Sequence, residues 1–184
     1  MIQKKTSKEL LAESALELIS KNSIDKISVL DIAKNCNVST RTFYNHFHDK
    51  YDLLAWSYIH MLEQYYDENV DTLNFHSWLS FTARVVWEYC DFFVNAAEYY
   101  GQNDLRISLI EPLRNLYLRL LRDIYHEKIT DEIYDSITFF LYGSIGFVDH
   151  TLRSGNIPRP EVSVAFFENC LPSGLKKYVQ TDSY

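Results

Sequence analysis

The chain has 184 residues, 47% of them hydrophobic, with 14 Tyr and 11 Phe, enough apolar material to bury a sizeable core in one or two domains. A net charge of −7 excludes a generally basic coat for nucleic acid, so any such contact must be local. Cys36, Cys90 and Cys170 are few, far apart and without a CxxC, which excludes a disulfide framework and a cysteine zinc site and points to a reducing cytoplasm.

In chain order, Thr6 to Glu9 is a capping-box match opening a helix whose apolar side is Leu11, Ala15, Leu18 and Ile19, ending near Asn22. Two further starts follow closely. Ser28 can cap a second helix, with Asp31 at its third position; Cys36-Asn37-Val38 makes a turn, and Ser39 caps a third helix running to about Phe47. At 100° per residue Phe43 and Phe47 share one side of this third helix, with Ile27, Val29, Ile32, Ala33 and Val38 as apolar partners. Arg41 and Asn45 lie opposite, flanked by Thr42 and Tyr44. Tyr44 reads either as packed on the third helix or as a phosphate contact, and His46 either as a packed histidine or as a DNA contact. Asp49 then caps a long helix to about Val70, and Lys50 in its first turn sets an ammonium beside exposed N–H groups, a place suited to a phosphate.

Three helices in the first 48 residues predict a helix-turn-helix domain over 1–48, and the long helix joins it to a helical domain over 49–184. The charges agree: residues 1–50 hold eight Lys and Arg against six Asp and Glu, the remainder ten against nineteen. From His76 a helical pattern continues to about Tyr100 and breaks at Gly101, with a short piece near Asp104 to Leu109. Pro112 fits the first turn of the next helix, with Leu113, Leu116, Tyr117, Leu120 and Leu121 inward. Another runs from Asp131 to Arg153 and stops at Gly155. The last, about Glu161 to Cys170, is ended by Pro172 and Gly174. No strand run, repeat or membrane-length apolar stretch interrupts the pattern, and the class is all-α. The N-terminus shows no apolar secretion-signal core, so a soluble cytoplasmic protein is expected.

The helix from Asp131 is apolar on nearly every side between Ile137 and Val148 and must be covered all round. A second copy of the chain could cover it at Phe140, Tyr142, Gly143, Gly146 and Phe147, joined by Phe166 and Phe167; a central helix of a monomeric bundle is the other reading.

The string DIAKNCNVSTRTFYNHFHDKYDLL, Asp31 to Leu54, resembles the TetR family of bacterial transcriptional regulators. The resemblance implies a DNA-binding head and a body of helices that binds a ligand and dimerises. It also implies DNA contacts from Thr42, Tyr44 and Lys50, and phosphate contacts from Ser28 and Thr40. Many members have Gly where this chain has Arg41, a departure that adds a side chain able to make a bidentate contact with guanine. The expected DNA-binding set is Ser28, Ser39, Thr40, Arg41, Thr42, Tyr44, Asn45, His46 and Lys50. The tail LPSGLKKYV is similar to a branch related to regulators of dihydroxyacetone kinase genes.

Enzymatic chemistry finds no support. His126-Glu127 has Thr130 where a two-histidine zinc motif needs its second His, no Glu is followed by His three residues on, and no phosphate loop or nucleophile elbow exists. No metal or cofactor is expected. A ligand pocket in the body would draw on Trp56, Tyr58, Ile59, Trp87, Tyr89, Tyr117 and Tyr142, suiting a flat or apolar small molecule, although each of these also fits an ordinary core. The expected function is a homodimeric regulator, a repressor on a near-palindromic operator, released by a small-molecule effector; the alternative is an adaptor or co-activator of the same fold controlled by a partner protein.

Overall fold

The computed structural model describes residues 5–97 and 105–180. Among them are ten α-helices and no strand: α1 Ser7–Ile19, α2 Val29–Asn35, α3 Thr40–Tyr44, α4 Lys50–Asn69, α5 Phe75–Glu88, α6 Cys90–Ala97, α7 Leu105–Asp123, α8 Asp131–Ser154, α9 Pro160–Asn169 and α10 Lys177–Gln180. Among the described residues no helix is long and apolar enough to cross a membrane.

Helix starts follow from local chemistry. Thr6 and Ser28 both close capping boxes, with Glu9 and Asp31 returning to the cap N–H, while Asp49 accepts from the N–H groups of Tyr51 and Asp52. Each cap satisfies donors that have no partner inside the helix. Helix α8 ends at Gly155, whose φ of 69° is a left-handed cap.

The apolar sides of these helices meet in one continuous core. In the head, Leu11, Ala15 and Ile19 of α1 pack with Ile32 and Phe43; in the body, Leu62 and Tyr66 of α4 pack with Trp78, Tyr117, Leu120 and Leu121. Helix α1 lies on both α4 and α6, and Asn95 Nδ2 donates to the Ile19 carbonyl at 2.7 Å, so the head is tied to the body at its back as well as through α4.

Four expectations change. Helix α1 stops at Ile19, with Asn22 in the turn beyond it. Helix α3 ends at Tyr44 rather than Phe47, because His46 N–H bonds back to Phe43 O at 2.9 Å in a tightened turn that still brings Phe47 into the core. The helix expected from His76 to Tyr100 is two helices broken at Tyr89, since α5 packs on α9 whereas α6 turns to α8 and α1. The expected break at Gly101 and the start near Asp104 lie outside the described residues. Helix α7 runs unbroken from Leu105 through Pro112. A proline inside a helix costs about 3 kcal/mol; burial of Leu105, Leu109 and Ile110 on its preceding turns contributes about 1.5–3 kcal/mol each and outweighs it.

The chain also continues past Pro172 and Gly174, through a 3₁₀ turn into α10, burying Leu175 and Tyr178. Tyr178 O–H and Lys177 Nζ both reach Glu127 Oε2 at 2.8 Å, which fixes this tail across the end of α7 and gives His126-Glu127 a structural use.

Candidate nucleic-acid interface and effector cavity

Helix α3 stands on the turn at Asn37, whose φ of 56° is a left-handed conformation that Asn tolerates. Ser39 Oγ accepts from Thr42 N–H at 3.0 Å and lies 2.8 Å from Thr42 Oγ1, so these two hydroxyls hold the helix start. Phe43 and Phe47 are buried beneath. Arg41, Tyr44 and Asn45 face outward, with Thr40 and Thr42 half-buried at their flank. Tyr44 is 61% exposed and its ring stands edge-on to Phe43 at 5.3 Å, so the phenol projects into solvent rather than packing.

Other predicted contacts are already engaged within the protein. Ser28 Oγ donates to Asp31 Oδ2 at 2.6 Å, and this bonding holds the Asp31 carboxyl below its ordinary pKa. His46 is exposed, with Nε2 2.8 Å from Ser7 Oγ, tying the end of α3 to the start of α1.

The Lys50 ammonium points inward. It donates to the carbonyls of Ile24 at 2.6 Å and Ile27 at 3.0 Å, clamping the α1–α2 connector onto the first turn of α4. Burial lowers its pKa against the opposing pull of Asp25 and Asp49. The peptide unit between Ile27 and Ser28 is thus bonded at both ends, since Ser28 N–H donates to Asp31 Oδ2 at 2.9 Å. Backbone carbonyls leave no trace in side-chain pattern, so this clamp had no sequence signal.

The body holds a partly open cavity of about 130 Å³ between α4, α5, α6, α7, α8 and α9. Tyr58, Trp87 and Tyr117 of the expected pocket line it. The other four do not. Trp56 turns to the head–body junction, stacked on His60 at 4.4 Å, 5.7 Å from Phe47 and beneath the Lys8 ammonium at 4.8 Å. Ile59 faces a separate outer groove between α4 and α7, and Tyr89 and Tyr142 are exposed. Residues two apart on a helix are 200° apart, so Trp56 and Tyr58 could not share one lining.

The expected interface residues divide likewise. Phe140 and Phe167 are buried inside the subunit and, with Phe147, line the cavity. Tyr142, Gly143, Gly146 and Phe166 lie on the outer face of α8 and α9, joined by Phe139 at 74% and Val162 at 60% exposure. Sequence reasoning missed Phe139 because every position nearby was equally apolar. The polar part of the lining is built on Asp149, which the sequence offered either as a pocket residue or as half of an ion pair across a dimer; it pairs within the subunit with Arg106 at 3.1 Å and with Arg153 at 3.0 Å, and these two arginines had no sequence signal.

Residues 11–55 match the family described as "Bacterial regulatory proteins, tetR family". The chain carries a tetR-family DNA-binding domain. Solved structures extend the likeness in fold over nearly the whole chain. "Dihydroxyacetone kinase operon activator DhaS" aligns with a TM-score of 0.66 at 19% identity, covering 93% of this chain and 97% of that one. Fatty acid degradation regulator FadR from Bacillus halodurans aligns with a TM-score of 0.54 at 18% identity, covering 94% and 98%. Both likenesses are of fold. No curated protein sequence matches the chain. Helices α2 and α3 both lie within the matched residues and form the helix-turn-helix of that domain.

Proposed function

We propose that the protein is a homodimeric transcriptional repressor of the cytoplasm that reads a near-palindromic operator with α3 and releases it when a small effector enters the body cavity. The observation that carries this reading is the outward row of Arg41, Tyr44 and Asn45 on a short helix whose other side is locked by Phe43 and Phe47. Such a row supplies a guanine fork, a phosphate-reaching phenol and an amide suited to adenine. The uncovered apolar face of α8 and α9, with no atom within 4 Å of a Cβ built at Gly143 or Gly146, supports pairing of two copies by close helix approach. Two heads then sit on half-sites about one helical turn apart, or a multiple of it.

Helix α4 connects the two functions: Tyr58 lines the cavity and Lys50, two turns earlier, clamps the connector that leads to α2. An effector that favours a shifted α4 therefore reorients the head as a two-state rigid-body change. Selection of bound duplexes from random sequence, followed by footprinting, tests the reading. A near-palindrome protected on two turns of one face is expected; recovery of unrelated sequences alone would refute operator recognition. The rival adaptor reading is favoured by the outer groove between α4 and α7, where Ile107 is 68% exposed, and it predicts that operator occupancy stays fixed with every small molecule while changing with a protein partner.

A further inference from the structure

We propose that His60 is a proton-operated latch between head and body: when its ring is doubly protonated, Nε2–H bonds to Glu9 Oε1 and fastens α1 to α4, so that the protein holds its operator more tightly as pH falls. The operator part rests on the reading above.

The pieces meet where the head joins the body. His60 stacks on Trp56 of its own helix, with ring centres 4.4 Å apart and 17° between the planes, and Trp56 in turn lies 5.7 Å from Phe47 of the head. Glu9 of α1 stands across from the ring, its Oε1 3.7 Å from His60 Nε2. That separation is too long for a hydrogen bond. The His60 side chain is 28% exposed, so protons reach the ring, yet Nε2 itself is closed to solvent and makes no hydrogen bond among the described residues. Buried polar atoms without a partner are rare enough that each calls for an explanation.

Glu9 is prepared as the acceptor. Its Oε2 takes the Thr6 N–H at 2.6 Å and the Thr6 hydroxyl at 2.9 Å in the capping box, which leaves Oε1 for His60. These bonds, the Thr6 N–H foremost, hold the carboxyl below its ordinary pKa, so Glu9 is a carboxylate throughout the range in which imidazoles change charge. A neutral ring offers this carboxylate either a lone pair or an uncharged N–H. A doubly protonated ring offers an N–H and a positive charge together, and it also sets a cation on the indole face of Trp56.

The other charged groups nearby have different partners. On α1, Glu13 is engaged by Lys5, while the Lys8 ammonium stands over the Trp56 and Phe47 rings at 4.8 and 5.3 Å, a like charge that opposes the added proton. On α4, Glu63 lines the outer groove. In the turn after α3, His46 meets the Ser7 hydroxyl, so its protonation forms no ion pair there. The latch is therefore closed below the range in which imidazole titrates and opens as pH rises through it. Helix α1 is already held at its far end, where Asn95 of α6 donates to Ile19 O. Closure at Glu9 grips α1 at both ends and resists the shift of α4 that frees the operator.

A double-mutant cycle on the full chain tests the latch, with melting at about pH 5.5 and about pH 8 for wild type, Glu9→Gln, His60→Phe and the double variant. Gln keeps the capping box and Phe keeps a ring on Trp56, so each removes a charge and little else. At the acid pH the wild type should melt about 1–3 °C above the additive expectation, and at the alkaline pH the two changes should simply add. Coupling that is absent in acid, or equal at the two pH values, overturns the proposal. Affinity for a selected operator is then compared at about pH 6 and about pH 8 at fixed salt. The wild type should gain about two- to fivefold more on acidification than His60→Phe, in which every other histidine still titrates. Equal gains overturn the latch as a device acting on DNA. If selection yields no duplex, the operator part falls with the operator reading, and the melting cycle alone upholds or overturns the latch.

Discussion

Arg41 and Lys50 are the arginine and the lysine of the expected DNA-binding set, and the structure places them differently. The Arg41 side chain is exposed on the reading side of α3. Arg41→Ala should therefore lose about 1–3 kcal/mol against a selected operator and relax the preference at one base position, measured by competition with single-base variants. Lys50 spends two of its donors on the Ile24 and Ile27 carbonyls. A lysine on a phosphate contributes about one unit to the slope of log affinity against log salt. Lys50→Met is expected to weaken operator binding through a loosened connector while leaving that slope unchanged; a slope flattened by about one unit would return Lys50 to the phosphates.

At the scale of the element, the caps carry consequences for stability. The Asp31 carboxyl, held below its ordinary 3.8 by Ser28, is more acidic folded than unfolded. Its contribution is thus complete above about pH 4 and is lost as pH falls through the folded value. Asp31→Asn should flatten the acid limb of a melting-temperature profile and leave the neutral plateau little changed in shape. Gly155 at φ 69° has no atom within 4 Å of a built Cβ, so Gly155→Ala meets no clash and costs only the left-handed backbone, about 1–2 kcal/mol in thermal unfolding. These starts and stops were legible because a cap needs only residues three positions apart. The outward set Arg41, Tyr44 and Asn45 was legible for the same reason, from 100° spacing. The Tyr89 break was not: Val85, Phe92 and Ala96 keep a helical interval across it, so the pattern runs on while the packing partner changes. Helix α7 crossing Pro112, the inward Lys50 and the cavity walls likewise depend on groups distant in sequence.

For the whole molecule, the deciding question is what covers Phe139, Tyr142 and Phe166. Glycines inside a helix are unfavourable by about 1 kcal/mol relative to Ala. With open space at Gly143 and Gly146, a lone subunit should be stabilised by Gly143→Ala. In a dimer with helices crossing at that point, the same methyl pushes them apart. Sedimentation equilibrium combined with melting at several protein concentrations separates the cases. The expected result is a wild-type melting point that rises with concentration, and a Gly143→Leu variant that dissociates yet keeps its helical content. A concentration-independent monomer would remove the paired-head geometry on which two-half-site recognition depends.

The doubly bonded peptide between Ile27 and Ser28 also supplies a clock. Its N–H is sheltered by Asp31 and its carbonyl by a side chain rooted in α4, so the two protections are mechanically in series. Any motion of α4 large enough to matter at the operator must first slacken that link. In deuterated solvent the Ser28 amide should therefore exchange faster once the cavity is filled, at a protein concentration where no DNA is present. A single backbone proton would then report the regulatory state of the molecule before transcription is ever measured.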